Sequence, residues 1–300
     1  MECRGKMVLR QRRPLAALPS TAMDLRKVIF LGGNPRKLAS VQIRAVDIAA
    51  RLGCPCLADV HYAREVPEKY SVFVCVKPLF APGQLQTLAR RGKVVWDIID
   101  TLPPKEDVAV YLTSTQTTKE IFAHYGRMAM IPHYHCNFEG TPNPPDLRRP
   151  AWIGYRQWLP PISGFDFDVY DVKNMTRADV VRAHRHIGIG LNLRGPGRPR
   201  ASKHEQKNFA TFHIGVNSGI KLINCLGFGI PSVSGHEPAY EEFGKNCTLY
   251  TTPRYCAKWV RELQNDEALY LTLRRHCLRQ GAKFHIDAIA QKYKTLLHSL

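Results

Sequence analysis

Short apolar runs alternate with stretches of helical spacing between residues 26 and 132. The run "KVIFL" is typical of a buried strand, and "RKLASVQIRAVDIAARLG" after it carries apolar residues at helical spacing before a glycine stop, Gly53. Further strand candidates are "CLADV", "SVFVCV", "KVVWDI", "VAVYL" and "MAMIP", and further helical stretches are "GQLQTLARR" and "TQTTKEIFAHYG". Continuous apolar strands that alternate with helices predict a parallel sheet covered on both faces.

The pattern is interrupted by the proline-rich segment "NFEGTPNPPDLRRP" and then starts again. The second set comprises strands "AWIGY", "HIGIGLNL", "PSVS" and "NCTLY", helices "TRADVVRAHR", "SGIKLINCLGFG" and "EPAYEEFG", and helical segments from Pro253 to the end. We therefore predict an α/β protein with two Rossmann-like domains and a cleft between them. The predicted boundaries are a basic extension (1–24), a first domain (25–140), a linker (141–150) and a second domain (151–300).

The amino-acid composition and net charge limit the kinds of protein that this chain can be. The chain has 300 residues, of which 44% are apolar, so it is long enough for two cores and is not a disordered tail. No apolar stretch approaches the roughly 18 residues that cross a bilayer. Its 43 Lys and Arg against 25 Asp and Glu give a net charge of +18. This excess favours polyanionic partners such as nucleic acid, anionic lipid or phosphorylated substrates, or serves solubility alone.

Two basic segments account for part of the charge. Residues 1–24 lack the apolar run of a secretory signal and are interpreted as a disordered extension, with a transit peptide as the alternative. The loop "RGPGRPRASKHEQK" contains a partial match to the AT-hook core, which supports a rival nucleic-acid-binding hypothesis. The nine cysteines have no regular spacing, which predicts reduced thiols and a cytoplasmic protein, in peripheral contact with membrane at most.

Lys221 occupies an unusual position in "NSGIKLINCLGFGIPSVSG". With Asn217 or Ser218 as the N-cap, this lysine falls in the first turn of a helix, where the helix dipole already disfavours a cation. A bound diphosphate would relieve the conflict. The alternative is a lysine that extends into solvent, since one cation in a first turn costs only about 0.3–1 kcal/mol.

The segment "GIKLINCLGFGIPSVSGHEPAYEEFG" resembles the donor-side segment of GT-B glycosyltransferases of the group 1, family-4-like type. The family stretch "K-L-x-x-x-x-x-x-G-x-P-x-V", followed by an acidic helix with "P-A-Y-x-E", is matched at Lys221, Leu222, Gly229, Pro231, Val233, Pro238, Ala239, Tyr240 and Glu242. Only residues 218–243 match specifically; the remainder of 26–300 resembles the family through Rossmann-like patterning.

The resemblance implies a transferase that takes a hexosyl or pentosyl group from a nucleotide diphosphate sugar to a glycan, lipid-linked or small-molecule acceptor. Lys221 would contact the diphosphate and steady the charge on the leaving phosphate. Arg194 is a candidate second cation, with membership of a disordered basic loop as its alternative. The other predicted donor-site residues are Ser218, Gly219, Asn224, Glu237 and Glu242. No metal or other cofactor is expected.

The sequence departs from the family at its Glu-x7-Glu pair. The matching positions are Val216 and Asn224, so retaining or inverting stereochemistry and the nucleotide base stay open. The aspartate that the family places before "I-G-I" is His186 here.

Candidates on the acceptor side come from the first domain. Gly32 and Gly33 lie in the "GGNP" loop between a strand and a helix, where glycine allows close approach to a ligand or simply a tight turn. His61 and His133 are interpreted as residues lining the cleft. If the reaction inverts configuration, Asp100 is the preferred base, with Asp97 and His61 as alternatives.

Overall fold

The computed structural model describes residues 24–35, 39–99, 103–105, 107–195 and 217–300. The predicted extension before Asp24, most of the basic loop after Arg194 and the candidate base Asp100 lie outside these ranges. Among the described residues, no helix combines the length and apolar character needed to span a bilayer.

The first sheet has six parallel strands in the order β2-β1-β3-β4-β5-β6. The strands are β1 Val28–Gly32, β2 Cys56–Ala58, β3 Val72–Val76, β4 Lys93–Asp97, β5 Val110–Thr113 and β6 Met128–Met130. Their α-helices are α1 Ala39–Val41, α2 Asp47–Leu52, α3 Gln84–Arg91 and α4 Gln116–Ile121, with a π-helical turn, Gln42–Val46, between α1 and α2. All residues of β1 and β3 are buried, as a sheet covered on both faces requires.

The second sheet has five parallel strands in the order β11-β10-β9-β7-β8. The strands are β7 Pro150–Gly154, β8 Asp168–Asp171, β9 Ile189–Asn192, β10 Ser232–Ser234 and β11 Thr248–Tyr250. The helices are α5 Arg177–Arg185, α6 Ile220–Phe228, α7 Pro238–Phe243, α8 Cys256–Asn265, α9 Glu267–Gly281 and α10 Ile286–His298. Short 3-10 turns cover Leu25–Lys27, Ala63–Glu65, Ala123–Tyr125, Arg156–Trp158, Val172–Asn174, Pro253–Tyr255 and Ala282–Phe284.

Local sequence explains where several helices begin and end. Gly53 adopts φ 69° and donates its N–H to the last carbonyls of α2, as the predicted glycine stop requires. Thr176 and Asp179 form a capping box at the start of α5. These caps fix the end of α2 and the start of α5.

The last helix, α10, lies with the first sheet. Ile289, Tyr293 and Leu297 are buried in the same apolar cluster as Phe30, whose ring centroid is 6.1 Å from that of Tyr293. Each such buried side chain contributes about 1.5–3 kcal/mol. The sequence-based boundary kept residues 286–300 with the second domain, because helical spacing along a chain carries no information about which sheet a helix covers.

The proline-rich segment between the two domains, residues 137–150, is here called the connector, and buried hydrogen bonds hold it in place. Asn143 is 3% exposed, and its Nδ2 donates to the carbonyls of His184 and Ile187 at 2.6 and 2.9 Å. Arg274 donates to the Asn143 and Gly229 carbonyls. Although its composition resembles that of a solvated spacer, the connector packs against the second domain.

Candidate functional site

The order in which strands join the second sheet reverses at β7: β8 lies on one side of it, and β9, β10 and β11 follow on the other. β7 pairs with β8 on one side and with β9 on the other, so the crevice outside the carboxyl ends of β7 and β9 is the place where such sheets bind ligands. Gly154 ends β7, and Arg194 follows β9 by two residues. The start of α6 faces the same edge, because the Lys221 ammonium contacts Gly154.

Helix α6 begins one or two residues later than the sequence predicted. Its N-cap is Gly219, in the left-handed region with φ 66°, and neither Asn217 nor Ser218 caps it. A Cβ at Gly219 would lie 2.9 Å from the Phe243 ring, so glycine is required by packing as well as by backbone conformation. The first turn contains no acidic residue, and no side chain caps its N–H groups. Lys221, the second residue of α6, therefore adds its charge to the positive end of a helix dipole.

The Lys221 ammonium does not extend into open solvent. Its Nζ lies 4.2 Å from the centroid of the buried Trp152 ring, and a Cβ at Gly154 would approach it to 2.6 Å. The side chain as a whole is partly exposed, but protein surrounds the ammonium closely enough that desolvation, followed by the charge of Arg194, lowers the pKa of Lys221 to about 7. A desolvated ammonium beside a second cation is stabilised when an anion binds next to it.

Arg194 and Glu237 lie beside this lysine. Arg194 Nε is 3.6 Å from Glu237 Oε1, and the guanidinium lies 6.0 Å from the Trp158 ring centroid. Glu237 is 5% exposed and also accepts a hydrogen bond from Asn217 Nδ2. The carboxylate is thus fixed from two directions and holds Arg194 at the end of β9.

Trp152 links the two cations. Its ring lies under the Lys221 ammonium, while its Nε1 donates to the Leu193 carbonyl at 2.8 Å, one residue before Arg194. The sequence predicted no more than a strand at Trp152 and Gly154. The available signal was the glycine at the end of a buried strand, which allows another group to approach the backbone closely.

Two predicted donor-site residues have other partners. Asn224 is 6% exposed, and its Oδ1 accepts a hydrogen bond from Cys136 N–H at 2.9 Å, so it anchors the residue just before the connector. Glu242 Oε2 accepts from Gln116 N–H at 2.8 Å, which joins α7 to the first turn of α4 in the first domain. Burial raises the pKa of Glu242. The sugar and ribose contacts assigned to these two residues stay predictions, as does the donor contact of Ser218, which is partly exposed.

In the first sheet the corresponding crevice lies between β1 and β3, because β1 pairs with both β2 and β3. Gly32 ends β1 at this crevice, and a Cβ there would lie 2.6 Å from Val41 Cγ1. Gly33 donates its N–H to the Val76 carbonyl at 3.4 Å. Close packing of the first helix on the strand accounts for the glycine at position 32.

The remaining first-domain candidates differ in position. His61 is exposed beyond the edge strand β2. His133 is 3% exposed, and burial, followed by the charge of Arg44, lowers its pKa well below the ordinary value of 6.5. Asp97 is fully buried in an ion pair with Arg44, with Nε and Oδ2 2.5 Å apart, so it is not a free base. Among the described residues, no group of His, Cys, Asp and Glu side chains is arranged to hold a metal ion.

No protein-family model and no curated protein sequence matches the chain. Solved structures do. HepE of Anabaena in complex with UDP superposes with a TM-score of 0.60 at 12% identity, over 91% of this chain and 100% of HepE. A glycosyltransferase from Rickettsia africae gives 0.60 at 10% identity, over 91% and 98%. The sucrose-phosphate synthase of Thermosynechococcus elongatus gives 0.58 at 10% identity, over 91% and 99%.

Identities this low carry information about the fold alone. Two all-parallel sheets, each with its crevice at the carboxyl ends of the strands, and superposition over nine-tenths of the chain agree with one another. The predicted fold is confirmed: the chain adopts the two-domain α/β architecture of the GT-B glycosyltransferases.

Proposed function

We propose that the protein is a glycosyltransferase that moves a sugar from a nucleotide diphosphate sugar to an acceptor. The observation that carries this proposal is the position of Lys221, whose ammonium lies between the start of α6 and the end of β7. Two cations and a helix N-terminus meet there, and Glu237 is the carboxylate that pairs with one of them. A diphosphate would supply the negative charge that this arrangement favours.

The same geometry suits the chemical step. Negative charge grows on the leaving diphosphate as its bond to the sugar breaks, and Lys221 Nζ with the N–H groups of α6 would stabilise it. Trp152 and Glu237 hold the two cations in place before any donor binds, so little reorganisation accompanies binding. The bound diphosphate would also favour the protonated form of a lysine whose pKa is about 7.

A uridine nucleotide is the donor that we infer first. HepE binds UDP and UDP-glucose in its crystal structures, and it shares the fold over nearly the whole chain. Because side-chain cations and the helix dipole would neutralise the diphosphate, we further propose that no divalent metal is needed. Transfer should then continue unchanged in the presence of EDTA.

A glycan, a lipid-linked sugar or a small molecule remains the proposed acceptor, and Asp100 the proposed base if configuration inverts. Contact with an anionic membrane surface rests on the charge of +18. Nothing in the described residues supports the rival nucleic-acid-binding hypothesis, whose basic loop lies almost wholly outside them.

The test is thermal unfolding of the full chain with UDP and with UDP-glucose. Wild type should show a rise in Tm that increases with nucleotide concentration, and Lys221→Met should abolish it. Lys258→Met is the matched control, because Lys258 also lies over a tryptophan ring, 4.7 Å from Trp259, but is exposed and belongs to a different helix, α8.

Two outcomes contradict the proposal. One is a nucleotide response that Lys221→Met leaves intact. The other is stabilisation by a duplex oligonucleotide while every nucleoside diphosphate fails, which would favour the rival hypothesis.

A further inference from the structure

A second cluster of cations lies at the carboxyl edge of the first sheet. Asp97 ends β4, and Lys77 follows β3 in the left-handed region with φ 45°. Arg44 comes from the π-helical turn after β1, a distortion that is frequent at functional sites. Arg177, the first residue of α5, belongs to the second domain, and its charge acts on His133 together with those of Arg44 and Lys77. The cluster therefore lies where the two domains face each other.

Arg44 and Asp97 form a buried ion pair within the cluster. Arg44 is 1% exposed; its Nε is 2.5 Å from Asp97 Oδ2, and its Nη1 donates to the Ile131 carbonyl at 2.8 Å. Tyr293 Oη donates to the same carboxylate oxygen at 3.3 Å. Within the described chain, Arg44 Nη2 and Asp97 Oδ1 have no hydrogen-bond partner. A buried guanidinium with an unused N–H is costly unless something accepts from it.

His133 and Arg177 add further unused groups. Both ring nitrogens of His133, which is 3% exposed, are buried without a partner in the described structure, and so are Nε and Nη2 of Arg177. The Arg177 guanidinium packs 5.4 Å from the Tyr134 ring centroid and 5.7 Å from that of Phe138. These rings fix its plane, so its unused N–H groups have a set direction.

Asp97, the carboxylate that pairs with Arg44, is already engaged. Among the described residues it accepts from Arg44 and Tyr293, while Nε and Nη2 of the neighbouring Arg177 are left without an acceptor. Asp47 lies at the edge of the cluster, but it accepts hydrogen bonds from Tyr134 and Gln42. Burial, followed by the charges of Arg44, Arg177 and Lys77, lowers the pKa of His133, so the imidazole is neutral and offers one N–H donor and one acceptor nitrogen.

We propose that Arg44, Lys77, His133 and Arg177 bind an anionic group, a phosphate or a carboxylate, carried by the acceptor. The identification of the anion with the acceptor rests on the proposed function; the anion site itself does not. The cluster lies on the first sheet, whereas the proposed diphosphate site lies on the second, around Lys221 and Arg194. Lys77 and Arg177 keep part of their surface exposed, so the ligand reaches the cluster from their side.

The experiment titrates inorganic phosphate into the full chain saturated with UDP, so that the donor site is already filled. Calorimetry measures affinity, and the ring signals of His133 in NMR spectra report whether the phosphate reaches this imidazole. We expect binding that shifts the His133 signals and that Arg177→Gln weakens at least tenfold. Arg177→Lys should restore part of the affinity. Arg182→Gln is the matched control, because Arg182 is an exposed arginine on the same helix.

Phosphate binding that Arg177→Gln leaves unchanged, or no binding to the UDP-saturated protein, overturns the proposal. Competition between phosphate and UDP, with loss of phosphate binding in Lys221→Met, also overturns it, because the anion would then be the donor's own diphosphate. A different result is expected if the anion site exists but the protein is not a glycosyltransferase. UDP would have no effect, while phosphate would still bind the free protein in an Arg177-dependent way and shift the His133 signals.

Discussion

The two sheet crevices gather cations in different ways. On the second sheet, Lys221 and Arg194 are partly exposed and lie beside one carboxylate, Glu237. On the first sheet, Arg44 is buried in an ion pair with Asp97, and the neighbouring His133 and Arg177 carry unused polar atoms. The exposed arrangement is ready to take a ligand at little structural cost. The buried arrangement supports the fold as well, so substitutions there act on stability before they act on binding.

The largest expected effect is on stability, at the first-sheet crevice. Asp97→Ala leaves the Arg44 guanidinium buried without its counter-ion, and we expect the free energy of unfolding to fall by about 3–5 kcal/mol. Urea denaturation measures it. The matched control is Glu139→Ala, which removes the exposed partner of Arg185 and should cost less than about 1 kcal/mol. Equal losses in the two variants would show that the buried pair has no special role.

A pH dependence is expected at the second-sheet crevice. The pKa of Lys221 is about 7 in the free protein, and a bound diphosphate raises it, so binding takes up a proton above pH 7. The affinity for UDP-glucose should therefore fall about tenfold for each pH unit above 7 and be level below it. UDP-glucose is the suitable ligand because both of its phosphates are esterified and neither titrates near neutrality.

Lys221→Arg tests the origin of this slope. Arginine stays charged, so the affinity of the variant should be level between pH 7 and 9. A slope that survives in Lys221→Arg would assign the proton to another group. The free protein should also become more stable as pH rises from about 7 towards 10.5, because the unfolded lysine binds a proton that the folded one has lost.

The smallest expected effect concerns Trp152. Trp152→Phe keeps an aromatic face under Lys221 but removes the hydrogen bond to the Leu193 carbonyl, and we expect the affinity for UDP to fall about fivefold, near the 1 kcal/mol of one hydrogen bond. Isothermal titration at pH 7 measures the change. Trp259→Phe, beneath the exposed Lys258, should leave affinity unaltered. A larger loss at Trp259 would contradict the role assigned to Trp152.

The contrast between the crevices also separates what the sequence predicts from what it does not. The second-sheet site draws its lysine, glutamate and helix start from residues 217–237, so a short contiguous pattern indicates it. The first-sheet cluster combines residues from positions 44 to 177, and only the fold brings them together. Sequence spacing placed Arg44 on a regular helix, whereas the π-helical turn directs it to Asp97.

Other differences have similar physical causes. Strand β8 escaped prediction because it is half-buried and carries Asp168 and Asp171, which are unusual in strands. The N-cap assigned to Asn217 or Ser218 follows the usual preference, but contact with Phe243 selects Gly219. Asn224 was assigned a donor contact from its place in the family pattern, which stays a prediction; the hydrogen bond that its Oδ1 accepts from Cys136 N–H could not be read from the sequence. Tertiary contacts decide each of these outcomes, and they are not local in sequence.

The return of α10 to the first sheet makes the first half of the polypeptide dependent on its last segment. A fragment cut in the connector would leave Phe30 and Asp97 without Tyr293, the residue that closes over both. Such a half-length piece should stay poorly folded until a peptide spanning residues 286–300 is added back. The two lobes are therefore interleaved as folding units.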